Sequence, residues 1–245
     1  MRRIAVGVLC SMILTLSAAS TASAQTFEWQ GLYAGANAGF TFRNLNFSAV
    51  EGGPDFYNSA FDSINGPVDN GITFGGQVGY NWAVSPSLIV GGELSFGKFG
   101  YSGMAASGLF NGDTVAETSG GMGWTALGRA GYALGDRALP YFAFGYLGAT
   151  NRVSIVDDCD TSPCGGGLID IAASGMEGRY VWGFGFEYAV KPEAIRPVSI
   201  KVEWLNTDFR TFVTAEDSDL DVSWNFNTHF PRSVLRASVN IHLGR

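Results

Sequence analysis

Eight stretches of the chain, at about 31–43, 71–84, 87–99, 121–134, 139–152, 178–190, 198–210 and 232–243, alternate in side-chain character with period two. The connections between them alternate in length. After the second, fourth and sixth stretches the chain turns back within a few residues, at Ser85-Pro86-Ser87, Gly135 to Ala138 and Lys191 to Pro197. After the first, third, fifth and seventh it runs for roughly 20 residues or more. Period two is the signature of strands. An even number of strands with short turns at one end and long loops at the other is the layout of a transmembrane barrel. A soluble antiparallel barrel or sandwich has no reason to sort its loops in this way. The pattern predicts an all-β fold, an eight-stranded antiparallel transmembrane β-barrel with short periplasmic turns and four long external loops.

The two faces of each strand agree with that orientation. Phe142, Phe144 and Tyr146 alternate with Ala143, Gly145 and Leu147, and Tyr180, Trp182, Phe184, Phe186 and Tyr188 with Val181, Gly183, Gly185 and Glu187. A soluble barrel would put the bulky face inside. Here the alternate face is Gly, Ala, Ser and Thr with isolated charges, which suits the narrow lumen of eight strands. The bulky face then faces lipid, with Phe74, Trp82, Phe96, Trp124, Phe142, Phe144, Trp182, Phe184, Tyr188 and Trp204 in its belt.

The first 24 residues are read as a signal peptide: Arg2 and Arg3, an apolar run from Ile4 to Leu16, and Ala22-Ser23-Ala24 as cleavage site. Residues 25–245 then form one barrel domain. Cys10 leaves with the signal, within an apolar run rather than at a lipid attachment site. Cys159 and Cys164 remain, an even pair in an exported chain, and are expected to close a small loop by a disulfide. No segment after residue 24 is long and apolar enough for a membrane-spanning helix. Without the signal, 13 basic residues face 22 acidic ones, a net of −9, so nucleic acid is not an expected partner.

Arg129, in the otherwise apolar GMGWTALGRAGYALG (121–135), raises the question of what holds it. Glu93, Glu187, Lys201, Glu203 and Arg236 lie on the same small-polar face. All six fall seven to nine residues from a periplasmic turn centre or the C-terminus. They are expected to form one lumen layer of three acids and three bases, with Glu187 opposite Lys201. An unpaired charge in a water-poor interior costs several kcal/mol, so balance implies mutual pairing. An acid/base catalytic role is disfavoured because the cations neutralise the carboxylates. No metal site is expected. A gate, opened by rearranging the pairs, is the alternative to an ionic plug.

A second regularity lies where strands meet long loops. Arg43, Lys98, Arg152, Arg179, Arg210 and Arg232 fall there, whereas the loops themselves, 44–70, 101–119, 153–177 and 211–229, carry fifteen acids and no Lys or Arg. The basic rim is a candidate contact for lipopolysaccharide phosphates; rim side chains that merely snorkel are the plainer reading. Asp217, Asp219 and Asp221 in AEDSDLD have the spacing of a calcium loop without its glycine or distant Glu, and are read as a solvated loop with loose divalent association. Lipid-A modification would need a nucleophile and a histidine base. Only His229 and His242 exist, and neither has triad spacing, although Thr228 and Ser233 lie near His229.

FEWQGLYAGANAGF (27–40) resembles the opening strand W-x-G-x-Y-x-G-x-x-x-G of the small alphaproteobacterial outer-membrane proteins of the opacity-porin-like class. GGQVGYNW (75–82) and GRAGYAL (128–134) resemble that family's second and fourth strands. The resemblance implies an eight-stranded outer-membrane barrel with surface or envelope-stabilising roles; some relatives are described as porins, adhesins or haem binders. A haem ligand outside the barrel would fall to His229 alone, and no cofactor is expected. Many such barrels end on an aromatic residue, whereas this chain ends IHLGR. The expected protein is a non-enzymatic outer-membrane monomer with a structural and surface-interaction role, contacting outer-membrane lipid, lipopolysaccharide and a host or surface ligand through its loops. A small cation-preferring porin is the alternative.

Overall fold

The computed structural model describes residues 28–42, 46–52, 63–106, 114–158, 168–191, 196–217 and 222–243. Residues 1–24, Arg43, Cys159 and Cys164 lie outside these, and with them the signal and the disulfide. The described residues form eleven strands: β1 (Gly31–Phe42), β2 (Asn46–Gly52), β3 (Ser63–Asp69), β4 (Gly71–Ala83), β5 (Leu88–Phe99), β6 (Ser102–Ala106), β7 (Thr114–Tyr132), β8 (Ala138–Asp158), β9 (Leu168–Lys191), β10 (Val198–Asp217) and β11 (Val222–His242). All pairings are antiparallel. β1, β4, β5, β7, β8, β9, β10 and β11 pair in that order and close through β1–β11, giving the eight-stranded barrel. Chain continuity makes β2, β3 and β6 the prolongations of β1, β4 and β5 past short breaks, so the wall continues above the ring from β10 through β11, β2, β3, β6, β7 and β8 to β9, while among the described residues the β9–β10 ladder ends at Val181 and Thr207.

At one end the chain turns tightly. Val84 N–H donates to Leu88 O at 2.9 Å and Leu134 N–H to Ala138 O at 2.8 Å. Gly135 takes φ 61° at the second of these turns, a left-handed conformation that suits glycine. At the other end the strands run much further than the sequence reading placed them. The expected loops 101–119, 153–177 and 211–229 are mostly strand: β8 continues to Asp158, β9 begins at Leu168, and β10 and β11 stay paired up to Asp217 opposite Val222. Asp217 therefore ends a strand, which removes it from the calcium-like loop.

The reason is an inversion of polarity along the wall. Over the lower part the outward side chains are apolar: Phe74, Phe96, Phe142, Phe144, Trp182, Phe184 and Trp204 are all exposed. Higher up, the alternation continues with its sense reversed. On β8, Val153 and Ile155 are buried while Arg152 is exposed and Ser154 partly so. The lower ring is patterned for lipid and the upper wall for water. The register of β7 slips between Gly120 and Gly123, and its inward phase changes there from Thr125 and Gly123 to Thr118 and Ala116.

Three tiers fill the lumen. Trp29, Ile89, Ala133, Leu139 and Ala189 form an apolar floor at the short-turn end. A larger apolar core, including Phe99, Tyr101, Leu147, Ile155, Ile171 and Leu205, fills the upper part. Between them lies a polar tier.

Candidate functional site

The polar tier contains all six charges expected in the lumen, each at most 6% exposed. β5 supplies Glu93, β7 Arg129, β9 Glu187, β10 Lys201 and Glu203, and β11 Arg236. Glu93 is the hub. It accepts from Lys201 Nζ at 2.6 and 2.7 Å, from Arg236 at 2.9 Å and from the Tyr33 hydroxyl at 2.7 Å. Glu203 accepts from Arg236 Nε at 2.6 Å and from the Tyr141 hydroxyl at 2.5 Å, with Lys201 Nζ 3.2 Å away. The backbones of Lys201 and Glu187 face each other, yet Lys201 reaches across the lumen and Glu187 pairs instead with Arg129 at 2.9 Å.

Arg129 is held on every side. Its Nε and Nη2 donate to Asn81 Oδ1 at 3.0 and 2.8 Å, Nη1 donates to Glu187, and its guanidinium lies 4.6 Å from the Tyr33 ring centre and 5.2 Å from that of Tyr141. Both tyrosines lie in slots made by glycines. A Cβ on Gly79 would come within 2.2 Å of Tyr33 Oη, and one on Gly185 within 2.1 Å of Tyr141 Cζ. Gly79→Ala and Gly185→Ala are each expected to displace a tyrosine from its carboxylate and lower the stability of the folded barrel by about 1–3 kcal/mol. Gly92→Ala, where a Cβ meets nothing within 4 Å, is expected to leave it unchanged. Urea titration of the refolded chain reads all three.

Several members of this network were not singled out in the sequence. Tyr33, Tyr141, Asn81, Ser199 and Asn240 share the small-polar phase, the two tyrosines as aromatic exceptions on it. Ser199 Oγ lies 3.0 Å from His242 Nε2 and donates to Glu187 Oε1 at 2.5 Å, while Asn240 donates to the same oxygen at 3.0 Å. Serine, histidine and glutamate thus meet, but they are wired differently from a hydrolytic triad. The carboxylate accepts the hydrogen bond of the serine hydroxyl and sits 3.6 Å from the same histidine nitrogen that faces the serine. All three are buried, out of reach of a substrate.

The rim residues divide. Lys98 is exposed on β5 opposite Phe74 and Met122, and Arg152 is exposed on β8 between Ser119 and Ser174. Arg179 is half-buried opposite Leu147, out of phase with the exposed Tyr180 and Trp182, and donates to Gly178 O at 3.1 Å. The Arg210 and Arg232 backbones lie opposite His229 and Thr207.

The profile of the outer membrane protein beta-barrel domain family matches residues 10–229. The chain belongs to this family. The 31 kDa outer-membrane immunogenic proteins of Brucella melitensis biotype 1 and Brucella suis biovar 1 are each 27% identical to it over 221 residues, covering 86% of this chain and 85% of theirs. The outer membrane protein OprG from Pseudomonas aeruginosa superposes with a TM-score of 0.52 at 12% identity, over 88% of this chain and 98% of that one, a likeness of fold alone. Family membership puts the barrel in the outer membrane. By the usual topology of such barrels the short turns face the periplasm and the long strands the exterior.

Proposed function

We propose that the protein is a closed structural barrel of the outer membrane, which holds its external hairpins above the lipopolysaccharide leaflet and serves there as a surface for interaction. The stacking of the lumen carries this reading. An ionic layer that is balanced in charge and saturated with hydrogen bonds lies between an apolar floor and an apolar core. Above it, the space bounded by Asn37, Leu147, Val181, Leu205, Val234 and Arg236 offers about 10 Å³ to water, around the lower limit for a single molecule. Ions would have to cross apolar side chains on both sides of the charges, which makes the layer a plug rather than a filter. The exposed cations Lys98 and Arg152 are contacts for outer-leaflet phosphates, and the name of the Brucella relatives, immunogenic proteins, supports an external face that other molecules meet. The protein is read as non-enzymatic, since its serine, histidine and glutamate are buried and wired without a relay.

The test is single-channel recording of the refolded chain in a planar bilayer, with folding checked by heat-modifiable gel mobility. The wild type and Glu93→Gln are both expected to be silent. Steady cation-selective steps in the wild type, altered by Glu93→Gln, would replace this reading with that of a small channel gated by the charge layer.

A further inference from the structure

Above the apolar belt, the outer surface of the barrel carries a groove of about 680 Å³ lined by polar and apolar side chains in similar measure. Its lower row follows the register across five strands. Asp69 on β3 stands opposite Ser102 on β6, Ser102 opposite Ser119 on β7, Ser119 opposite Arg152 on β8, and Arg152 opposite Ser174 on β9. A second row above it places the exposed Met104 opposite Glu117, Glu117 opposite Ser154 and Ser154 opposite Ala172. The small side chains of Ser102, Ser119, Ser154, Ala172 and Ser174 in these rows leave the depth of the groove. Arg152 stands among them as a cation on a floor of hydroxyl groups. Among the described residues, no hydrogen bond or ion pair holds Arg152, Asp69 or Glu117.

The position of the groove selects its occupant. Arg152 lies ten residues beyond Phe142 on the same face of β8, about 25 Å along the barrel axis at the usual strand tilt, and so at the upper edge of an apolar belt of about that height. Directly below the groove the surface is apolar again: Met122 and Met176 are exposed, the first beside Lys98 and the second opposite Thr150. A molecule with acyl chains on this belt would bring its headgroup to the level of Arg152. Guanidinium groups pair bidentately with phosphate oxygens, while serine hydroxyls and carboxylates exchange hydrogen bonds with sugar hydroxyls. A simple anion site would not have Asp69 and Glu117 at its edges; a phosphorylated sugar uses both kinds of group.

We infer that this groove is a binding site for the phosphorylated sugar headgroup of an outer-leaflet glycolipid, with Arg152 on the phosphate and the serine row and carboxylates on the sugar. The inference rests on the reading of the rim cations as phosphate contacts and narrows it to one place. The experiment uses the full chain, refolded in detergent with its heat-modifiable mobility verified, and measures binding of bisphosphorylated lipid A, its phosphate-free counterpart and free glucosamine 1-phosphate by native mass spectrometry.

Wild type is expected to prefer bisphosphorylated lipid A over the other two. Arg152→Gln and the groove-filling Ser119→Phe are each expected to weaken that binding about tenfold, and Lys98→Gln less than either. If Lys98→Gln and Arg152→Gln weaken binding equally while Ser119→Phe has no effect, the rim contacts phosphate without a groove and the inference fails. If no variant changes binding, the rim reading fails with it. If glucosamine 1-phosphate binds as tightly as lipid A, the site takes a soluble sugar phosphate, and the lipid assignment is overturned.

Discussion

Glu93→Gln is expected to destabilise the refolded barrel by about 3–5 kcal/mol, read as a lowered urea midpoint with an unchanged slope. The side chain is nearly isosteric, so almost no packing is lost. What is lost is the negative charge facing Lys201 and Arg236 at 2.6 to 2.9 Å, with Arg129 4.0 Å away. Three cations would then share Glu187 and Glu203. The apolar tiers above and below deny the excess charge a route to water, and that separates this site from an exposed ion pair, whose loss typically costs less than about 1 kcal/mol. Two controls sharpen the test. Lys98→Gln, on the exposed rim, is expected to have little effect. Adding Lys201→Met to Glu93→Gln removes a cation along with the anion and is expected to restore part of the loss, a positive coupling readable in a double-mutant cycle. Equal small effects at Glu93 and Lys98 would show that the layer is hydrated and not a plug.

Ile155→Asn is expected to cost about 3 kcal/mol or more, whereas Val156→Asn, one residue along, is expected to change stability by less than about 0.5 kcal/mol. Ile155 is fully buried in the upper core and Val156 faces outward. An amide at 155 would lie among Leu and Val side chains that offer it no partner. If residues 153–177 were a solvated loop, neither substitution would matter. If they were a lipid-facing strand, 156 would be the sensitive position. Only a water-patterned barrel wall makes 155 the costly site, so the pair of variants tests the inversion of polarity directly.

That inversion also explains where the sequence was legible and where it was not. Across the belt, the alternation of Phe142, Phe144 and Tyr146 against small residues carries both the strand and its orientation, and the eight strands of the lower ring lie within a residue or two of their expected bounds over that region. The six lumen charges were legible for the same reason, since a charge on the small face of a lipid-facing strand has nowhere else to go. Beyond Gly148 the apolar residues move inside and the outward positions become Arg152 and Ser154. Local composition there looks like a loop, although the period of two persists through Val153 and Ile155. A reading keyed to one polarity stops at that point. The tyrosines of the network are hidden by chemistry of another kind: Tyr33 and Tyr141 are aromatic, like the residues of the belt, but their hydroxyls serve Glu93 and Glu203 inside. The glycines that admit them, Gly79 and Gly185, are spaced along the strands like any others and reveal their use only once the partner strand is in register.

The length of the strands has a mechanical meaning. β9, with 24 residues, extends about 60 Å along the axis at the usual rise and tilt, more than twice the height of the apolar belt. The hairpin between β10 and β11 is still paired at Asp217 and Val222, so its tip is carried on a hydrogen-bonded ladder. If the external hairpins serve as the proposed interaction surface, the distance at which they meet a large molecule is set by a hydrogen-bonded mast. Adding two residues to each strand would raise the tip by about 5 Å, a change of reach that leaves its chemistry as it was.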